Sequence, residues 1–240
     1  MSVKYVCVLP YAYQPYYDEF IKTCKLGNLM VIDNTNPETN IGIMKSHNLG
    51  VDYMFQTGAD WLIVLSASVR FGDKGGLDFI EALEQNPDCL LVHGSGLWKS
   101  DPEQRVMALG WHCTAFHRSV FEAIGEWDTN FSNYSLDDVD MTMRIQKHFG
   151  KDYKSKVVEL DMVHESTAHS VSLAHIKGCA HAPRHSYFMR KWGKDCHAWQ
   201  EDGYATPFNL DKPLSYWPEP DDPLSIWQVE YKTGGYKFDD

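Results

Sequence analysis

No run of apolar residues in this 240-residue chain approaches the ~18 that a membrane-spanning helix needs. The opening stretch, Met1-Ser2-Val3-Lys4-Tyr5-Val6-Cys7-Val8-Leu9, is a short strand pattern, too brief for the apolar core of a secretory signal. From these two absences we expect a protein of the cytoplasm of the producing or host cell. No two of the six cysteines (7, 24, 89, 113, 179, 196) form a C-x-x-C pair. Free thiols in a reducing compartment are the simplest reading, and a zinc site is disfavoured. No Lys/Arg run is present and the formal net charge is −11, which argues against a general nucleic-acid footprint. A loose cluster from Arg184 to Lys194 is the best candidate for gripping phosphates. No internal repeat and no low-complexity linker interrupts the chain.

Aromatic residues, by contrast, reach 13%, with thirteen Tyr and eight Trp. Such rings pack cores, and those with polar handles also line clefts that hold sugars or bases. The first part of the chain alternates strand and helix patterns. Strands are predicted at Lys4–Leu9, Asn28–Ile32, Trp61–Leu65 and Cys89–Val92, and helices at Asp18–Lys25, Ile43–Thr57 and Gly75–Asn86. This β-α-β-α-β-α-β order predicts an α/β fold, three-layered, with a central mainly parallel (mixed) sheet. Ligands of such sheets bind beyond the carboxyl ends of the strands. The loops there are Pro10–Gln14, Asp33–Asn36 and Ser66–Gly72.

The middle of the chain changes character. Val106–Arg118 reads as two short strands or a strand and turn, and Ser119–Ile124 as a short helix ended by Gly125. Asp137–His148 is a helix closed by Gly150, Val157–Val163 a strand, and Ala180–Trp192 a helix. One domain is expected over residues 1–195, its character changing near residue 105; residues 196–240 read as an irregular arm.

The sharpest constellation is Gly125-Glu126-Trp127-Asp128, followed by Asp137-Asp138-Val139-Asp140 and Arg144. Carboxylates at a helix start meet exposed N–H groups and a favourable dipole, which explains one or two of them. Three within four positions repel each other, so capping alone is a poor account. A carboxylate there, at the rim of a cleft, can serve as a general base.

These segments, in order, resemble family 2 glycosyltransferases of the GT-A fold. The resemblance runs over roughly residues 3–195, through Val6–Tyr11, Val31-Ile32-Asp33-Asn34, Asn40-Ile41-Gly42 with Asn48-Leu49-Gly50, Gly58–Leu65, the acidic segment above, and Tyr187 with Lys191-Trp192-Gly193. It implies an inverting transferase with Asp138 as general base and Asp137 binding acceptor hydroxyls. Pro10, Tyr11, Asp33, Asn34, Lys45, Ser66, Ser68 and Arg70 would serve the donor nucleotide, a uridine-diphosphate sugar by default. Trp111 and His112 would stand on the acceptor side, and His164, Arg190 and Lys191 near the diphosphate.

Where the family carries Asp-x-Asp after the third strand, this chain has Ser66-Ala67-Ser68. Hard cations prefer carboxylate oxygens, so Mn²⁺ or Mg²⁺ is doubtful. Three readings stay open: a metal held through His164 and donor phosphates, a metal-free enzyme with Arg70, Lys74, Arg190 or Lys191 facing the diphosphate, or a noncatalytic binder of nucleotide-sugars or glycans. A nucleotidyltransferase would need a Gly-rich basic loop after the first strand, and Leu9-Pro10-Tyr11-Ala12-Tyr13 is not one. The acceptor could be a glycan, a lipid-linked sugar, a protein or a modified base of viral DNA. Ser66 and Ser68 have no histidine partner evident in the sequence, which counts against serine-nucleophile chemistry. His164-Glu165 with His169, the pair His181 and His185, and Gly72–Gly76 are weaker candidates, each also readable as surface or turn.

Overall fold

A computed structural model of the chain describes residues 3–36, 38–98, 111–129, 131, 137–165, 188 and 191–192. Its elements run β1 (Tyr5–Tyr11), α1 (Gln14–Thr23), β2 (Leu29–Asp33), α2 (Ile43–Thr57), β3 (Trp61–Leu65), β4 (Val69–Phe71), α3 (Leu77–Gln85), β5 (Leu91–Trp98), β6 (Cys113–His117), α4 (Arg118–Ile124), α5 (Asp137–Phe149) and β7 (Ser155–His164). The strands form one seven-stranded sheet in the order β2-β1-β3-β6-β5-β7-β4.

The sheet is mixed. β1 pairs in parallel with β2 and β3, and β5 in parallel with β7. β6 inserts antiparallel between β3 and β5, and β4 runs antiparallel to β7 at one edge. Side chains alternate across a strand. Val6, Val8, Leu62 and Val64 therefore pack against Met44, Val51 and Met54 of α2, Val120 and Phe121 of α4, and Met141, Met143 and Ile145 of α5. Cys7, Leu9, Ile63 and Leu65 face the other way, onto Phe20 of α1 and Phe79 and Leu83 of α3. All five residues of β3 are buried, as its unbroken apolar run predicts for a strand covered on both faces. The result is an α/β/α sandwich of three layers.

Three elements depart furthest from the sequence expectation. Helix α1 begins at Gln14 rather than Asp18, because Pro15 falls in the first turn, where a missing N–H does no harm. Strand β5 continues past Val92 to Trp98 through a register shift between Ser95 and Leu97, with glycines at 94 and 96 that pass close to β6 and β7 side chains. The stretch Ser66–Gly72, expected as a loop, contains β4, three residues too short to show an alternating pattern. The four cysteines within the described residues are free: Cys7, Cys24, Cys89 and Cys113. No helix among the described residues is long and apolar enough to cross a membrane. The expected arm over 196–240, most of the predicted helix 180–192, His169, and the His181/His185 pair lie outside the described residues.

Helix α2 lies against β1 through Gly50. A Cβ there would stand 2.8 Å from Val8 Cβ and 3.0 Å from Leu62 Cδ1. Both neighbours are fully buried and cannot swing aside. Gly50→Ala should therefore destabilise the fold by roughly 1–3 kcal/mol through overpacking, despite alanine's better helix propensity. Urea unfolding checks this, and an unchanged or higher midpoint contradicts the close approach.

Candidate functional site

The carboxyl ends of β1, β2 and β3 point to one edge of the sheet. Because β6 is antiparallel to β3, with Leu65 opposite Cys113, the residues just before β6 reach the same edge. The end of β7 arrives there too, since His164 pairs with both Trp98 and Val69. Tyr11, Asp33, Ser66, His112 and His164 are thus gathered from five strand ends, at the edge where open α/β sheets bind ligands.

At the β1/β2 end, the Tyr11 ring stacks on Tyr17 of α1, with centroids 4.4 Å apart and planes 18° from parallel. Burial, and then its hydrogen bond to Asp33, push the Tyr11 phenol up to about 12. Asp33 is exposed, and its Oδ1 accepts from Thr35 N at 2.8 Å and Thr35 Oγ1 at 2.6 Å. These bonds hold the Asp33 carboxyl below its ordinary value. Pro10 pairs with Ile32 past the last β3 partner, so its missing N–H interrupts no bond to β3. Asn34, expected beside the donor, is instead buried and organises its own loop. Its Nδ2 donates to Ser46 Oγ and its Oδ1 accepts from Ile41 N, both at 3.1 Å. Lys45 is exposed in the first turn of α2.

At the β3 end, Ser66–Val69 form a tight turn, closed by Val69 N donating to Ser66 O at 3.1 Å. Ser66 N donates to His112 O, and Glu165 N to Ser68 O, both at 2.9 Å, which ties the turn to β6 and β7. Ser66 Oγ lies 2.6 Å from Ser68 Oγ, and Ser68 Oγ lies 2.8 Å from His164 Nε2. Ser68 therefore does have a histidine partner, contrary to the sequence expectation; a separation of 96 residues hid it. The His164 ring packs on His112, with centroids 3.9 Å apart. Burial pushes His164 down to about 4, so its imidazole is neutral at pH 7. Arg70 Nη1 donates to Ala67 O and Val69 O at 2.7 Å, placing a guanidinium under the turn.

These donors do not fit a hard divalent cation. Ser66, Ser68 and His164 are bonded to one another and bring no carboxylate oxygen. Among the described residues no three His, Cys, Asp or Glu side chains are grouped to hold a metal ion.

The acidic segment divides into two roles. Asp140 is buried, and its Oδ1 lies 2.6 Å from Lys191 Nζ and accepts from Trp192 Nε1 at 2.8 Å. The same Lys191 ammonium bonds Asp128 Oδ2 at 2.8 Å. Lys191, expected to face a diphosphate, is therefore committed to a buried structural ion pair. Arg144 stands 3.8 Å from Asp140 and donates to the backbone oxygens of Glu126 and Ile124. Trp111, expected on the acceptor side, is buried in the core with its ring against Phe116 and Trp127. Arg190 lies outside the described residues.

Asp137 and Asp138 remain, both half-buried in the first turn of α5. Burial pushes the Asp138 carboxyl up to about 6, against the pull of a 2.8 Å hydrogen bond from Val139 N. Two observations orient that turn. Thirteen residues of α5 span about 20 Å. The helix ends at Phe149, just before β7 starts opposite Leu91 at the far edge, so its beginning points back toward the carboxyl edge. In addition, Trp111 precedes β6 at that edge and packs on Trp127, whose neighbour Asp128 is joined through Lys191 to Asp140.

Some solved structures are similar to parts of this chain. Residues 1–349 of TarS from S. aureus match with 11% identity and a TM-score of 0.48, covering 72% of this chain and 64% of that one. A glucosyl-3-phosphoglycerate synthase from Mycobacterium tuberculosis, in complex with Mn²⁺, uridine diphosphate and glucosyl-3-phosphoglycerate, matches with 10% identity and a TM-score of 0.49, over 78% of this chain and 79% of that one. A197 from STIV matches with 13% identity and a TM-score of 0.42, over 68% and 83%. The matched region thus spans less than two thirds of the TarS chain. No family model and no curated protein matches the sequence. At these identities the likeness concerns fold alone, and the strand order above describes that fold more firmly than any neighbour does.

Sequence reasoning missed the Asp128–Lys191–Asp140 pairing, which closes over 63 and 51–52 residues with no local pattern to announce it. Removing the cation leaves two buried carboxylates facing each other. Lys191→Met should cost roughly 3–5 kcal/mol of stability. Denaturant unfolding reads it; a loss below about 1 kcal/mol would contradict a buried structural pair.

Proposed function

We propose that this chain is a glycosyltransferase that moves a sugar from a nucleoside-diphosphate sugar to an acceptor hydroxyl with inversion. The observation that carries the reading is the Asp138 carboxyl, raised toward neutrality by burial in a helix turn that is tethered to the edge where Tyr11, Asp33 and Ser66 converge. Tyr11 and Asp33 would border the base of the donor, with a uridine-diphosphate sugar the default. The Arg70 guanidinium, beneath the Ser66–Val69 turn, would offset charge on the diphosphate.

In the transfer step, Asp138 takes the proton of the acceptor hydroxyl as that oxygen attacks the anomeric carbon. The bond from carbon to the diphosphate oxygen breaks on the opposite face, and its electron pair leaves with the nucleoside diphosphate. A base with a value of about 6 is largely ionised at pH 7 yet still basic enough to share the proton in the transition state. Asp137, in the same turn, would orient acceptor hydroxyls. The Ser66–Ser68–His164 set brings no carboxylate oxygen to anchor a divalent cation, so the charge of the diphosphate falls to Arg70. A glycan, a lipid-linked sugar, a protein or a modified nucleic-acid base each supplies a hydroxyl that this chemistry accepts.

Asp138→Asn should lower kcat by roughly 10²–10⁴-fold. The wild-type kcat/KM should rise with pH through about 6 and then level off, as the carboxyl ionises. The same substitution should stabilise the fold at pH 8. The folded-state value lies above the unfolded one, so the folded protein holds the proton more tightly and its stability falls as pH rises from about 4 through 6. A neutral amide escapes that cost, which is at most about 3 kcal/mol, and the advantage should vanish by about pH 3.5. Thermal melts across pH, beside turnover with a panel of nucleotide-sugars, provide the check. Unchanged turnover in Asp138→Asn removes the base from the mechanism, and absence of any turnover in the wild type favours a noncatalytic nucleotide-sugar binder.

A further inference from the structure

We propose that Ser66 is a hydrogen-bond donor to the diphosphate of the nucleotide, and that Ser68 and His164 are positioning residues that turn its hydroxyl outward. The inference rests on the transferase reading above and adds to it what stands where a bound cation would otherwise serve.

A serine hydroxyl has one proton to give and two lone pairs to receive. One lone pair of Ser66 Oγ is met by Ser68 N at 3.3 Å. The other faces Ser68 Oγ, 2.6 Å away. If Ser68 donates there, both lone pairs of Ser66 are filled and only its proton remains to be offered outward. Ser68 is free to donate in that direction when its own oxygen accepts from His164 Nε2, 2.8 Å away. The line then reads His164 Nε2–H to Ser68 Oγ, Ser68 Oγ–H to Ser66 Oγ, and Ser66 Oγ–H to the ligand. The other histidine tautomer reverses every arrow and leaves Ser66 with a lone pair outward, suited to a hydroxyl or a cation. A neutral imidazole carries one N–H, so the ligand decides between the two directions.

Three features favour an anion. Arg70 brings its guanidinium to this turn through bonds to Ala67 O and Val69 O, where it also feels the carboxylates of Glu165 and Glu19. Ser68 and His164 are buried while Ser66 is half-buried at the mouth, so the inner bonds of the line are shielded from water and strengthened by one another. The position, one residue past the end of β3, lies at the edge shared with Tyr11 and Asp33. A diphosphate reaching in from a base at Tyr11 would meet a fixed donor and a nearby positive charge without needing an ion.

The test measures binding by calorimetry in EDTA, using UDP, GDP, CDP and dTDP, each beside its monophosphate, and inorganic pyrophosphate. At least one diphosphate should bind roughly tenfold tighter than its monophosphate, the scale of one hydrogen bond to a charged group. Ser66→Ala and Ser68→Ala should each bring that ratio close to one, whereas Ser68→Thr should keep it. Ser66 is the more exposed of the two, so its variant guards against misfolding as the cause. Independently, the ¹⁵N signals of His164 in the wild type should move toward the Nε2–H tautomer on ligand binding. An unchanged ratio in both alanine variants overturns the proposal while leaving the transferase reading intact. So does binding that appears only with Mn²⁺, an unmoved tautomer, or pyrophosphate binding as tightly as the nucleotide. Failure of every nucleoside diphosphate to bind, with or without Mn²⁺, sinks both.

Discussion

One ammonium group ties the segment around Trp127 and Asp128 to the start of α5. Lys191 Nζ sits between Asp128 Oδ2 and Asp140 Oδ1, at 2.8 and 2.6 Å, with all three side chains out of water. Arg144 adds a second positive charge beside Asp140 and pins the turn before it through the carbonyls of Ile124 and Glu126. Two carboxylates and two cations balance, which is the condition under which buried charge is tolerated. The consequence is positional. The segment carrying Trp127 and Asp128 is joined to α2 by Asn48, which bonds both the N–H and the carbonyl of Trp127 at 2.9 Å. Through Lys191 that anchored segment holds the first turn of α5, and with it Asp137 and Asp138.

The same turn therefore holds aspartates in different surroundings. Asp140 is surrounded by cations and an indole N–H and serves the fold. Asp138, two positions earlier, accepts from the backbone N–H of Val139, yet burial raises its affinity for a proton. Contrasting environments push the proton affinities of neighbouring acids apart. Beyond the end of β3, a line of two hydroxyls and an imidazole runs from Ser66 through Ser68 to His164. Such a line can present either a proton or a lone pair, whereas carboxylates can only accept.

Much of the fold is legible in the chain because its signals are local. Helix α2 runs over Ile43–Thr57 as read from sequence, bracketed by Gly42 and by Gly58 at φ 67°, a left-handed cap that glycine adopts freely. Strand β3 is legible as an unbroken apolar run. Strand β4 is not, since three residues carry no period and its existence depends on pairing with β7. The antiparallel insertion of β6 is likewise a tertiary decision, invisible in the order of elements. In the site, the clustering of Tyr11, Asp33, Ser66, Ser68, His112 and His164 follows from their positions at strand ends, which sequence locates well. What each side chain touches does not follow. Lys191 looked like a cation for phosphate, Asn34 like a ligand contact and Trp111 like an acceptor platform; long-range packing turned all three inward.

The claim on which the rest stands is spatial: a nucleotide-sugar occupies the carboxyl edge, with the start of α5 beside it. Hydrogen exchange of the whole chain, with and without UDP-glucose and related nucleotide-sugars, tests it most directly. Joint protection of the peptides covering Tyr11–Tyr17, Asp33–Asn36, Ser66–Arg70 and Asp137–Met141 is the expected result. Protection confined to the opposite edge, at the shallow pocket lined by Lys4, Tyr5, Asn28, Tyr53 and Thr57, would contradict it, as would protection of the strand ends with no change at α5.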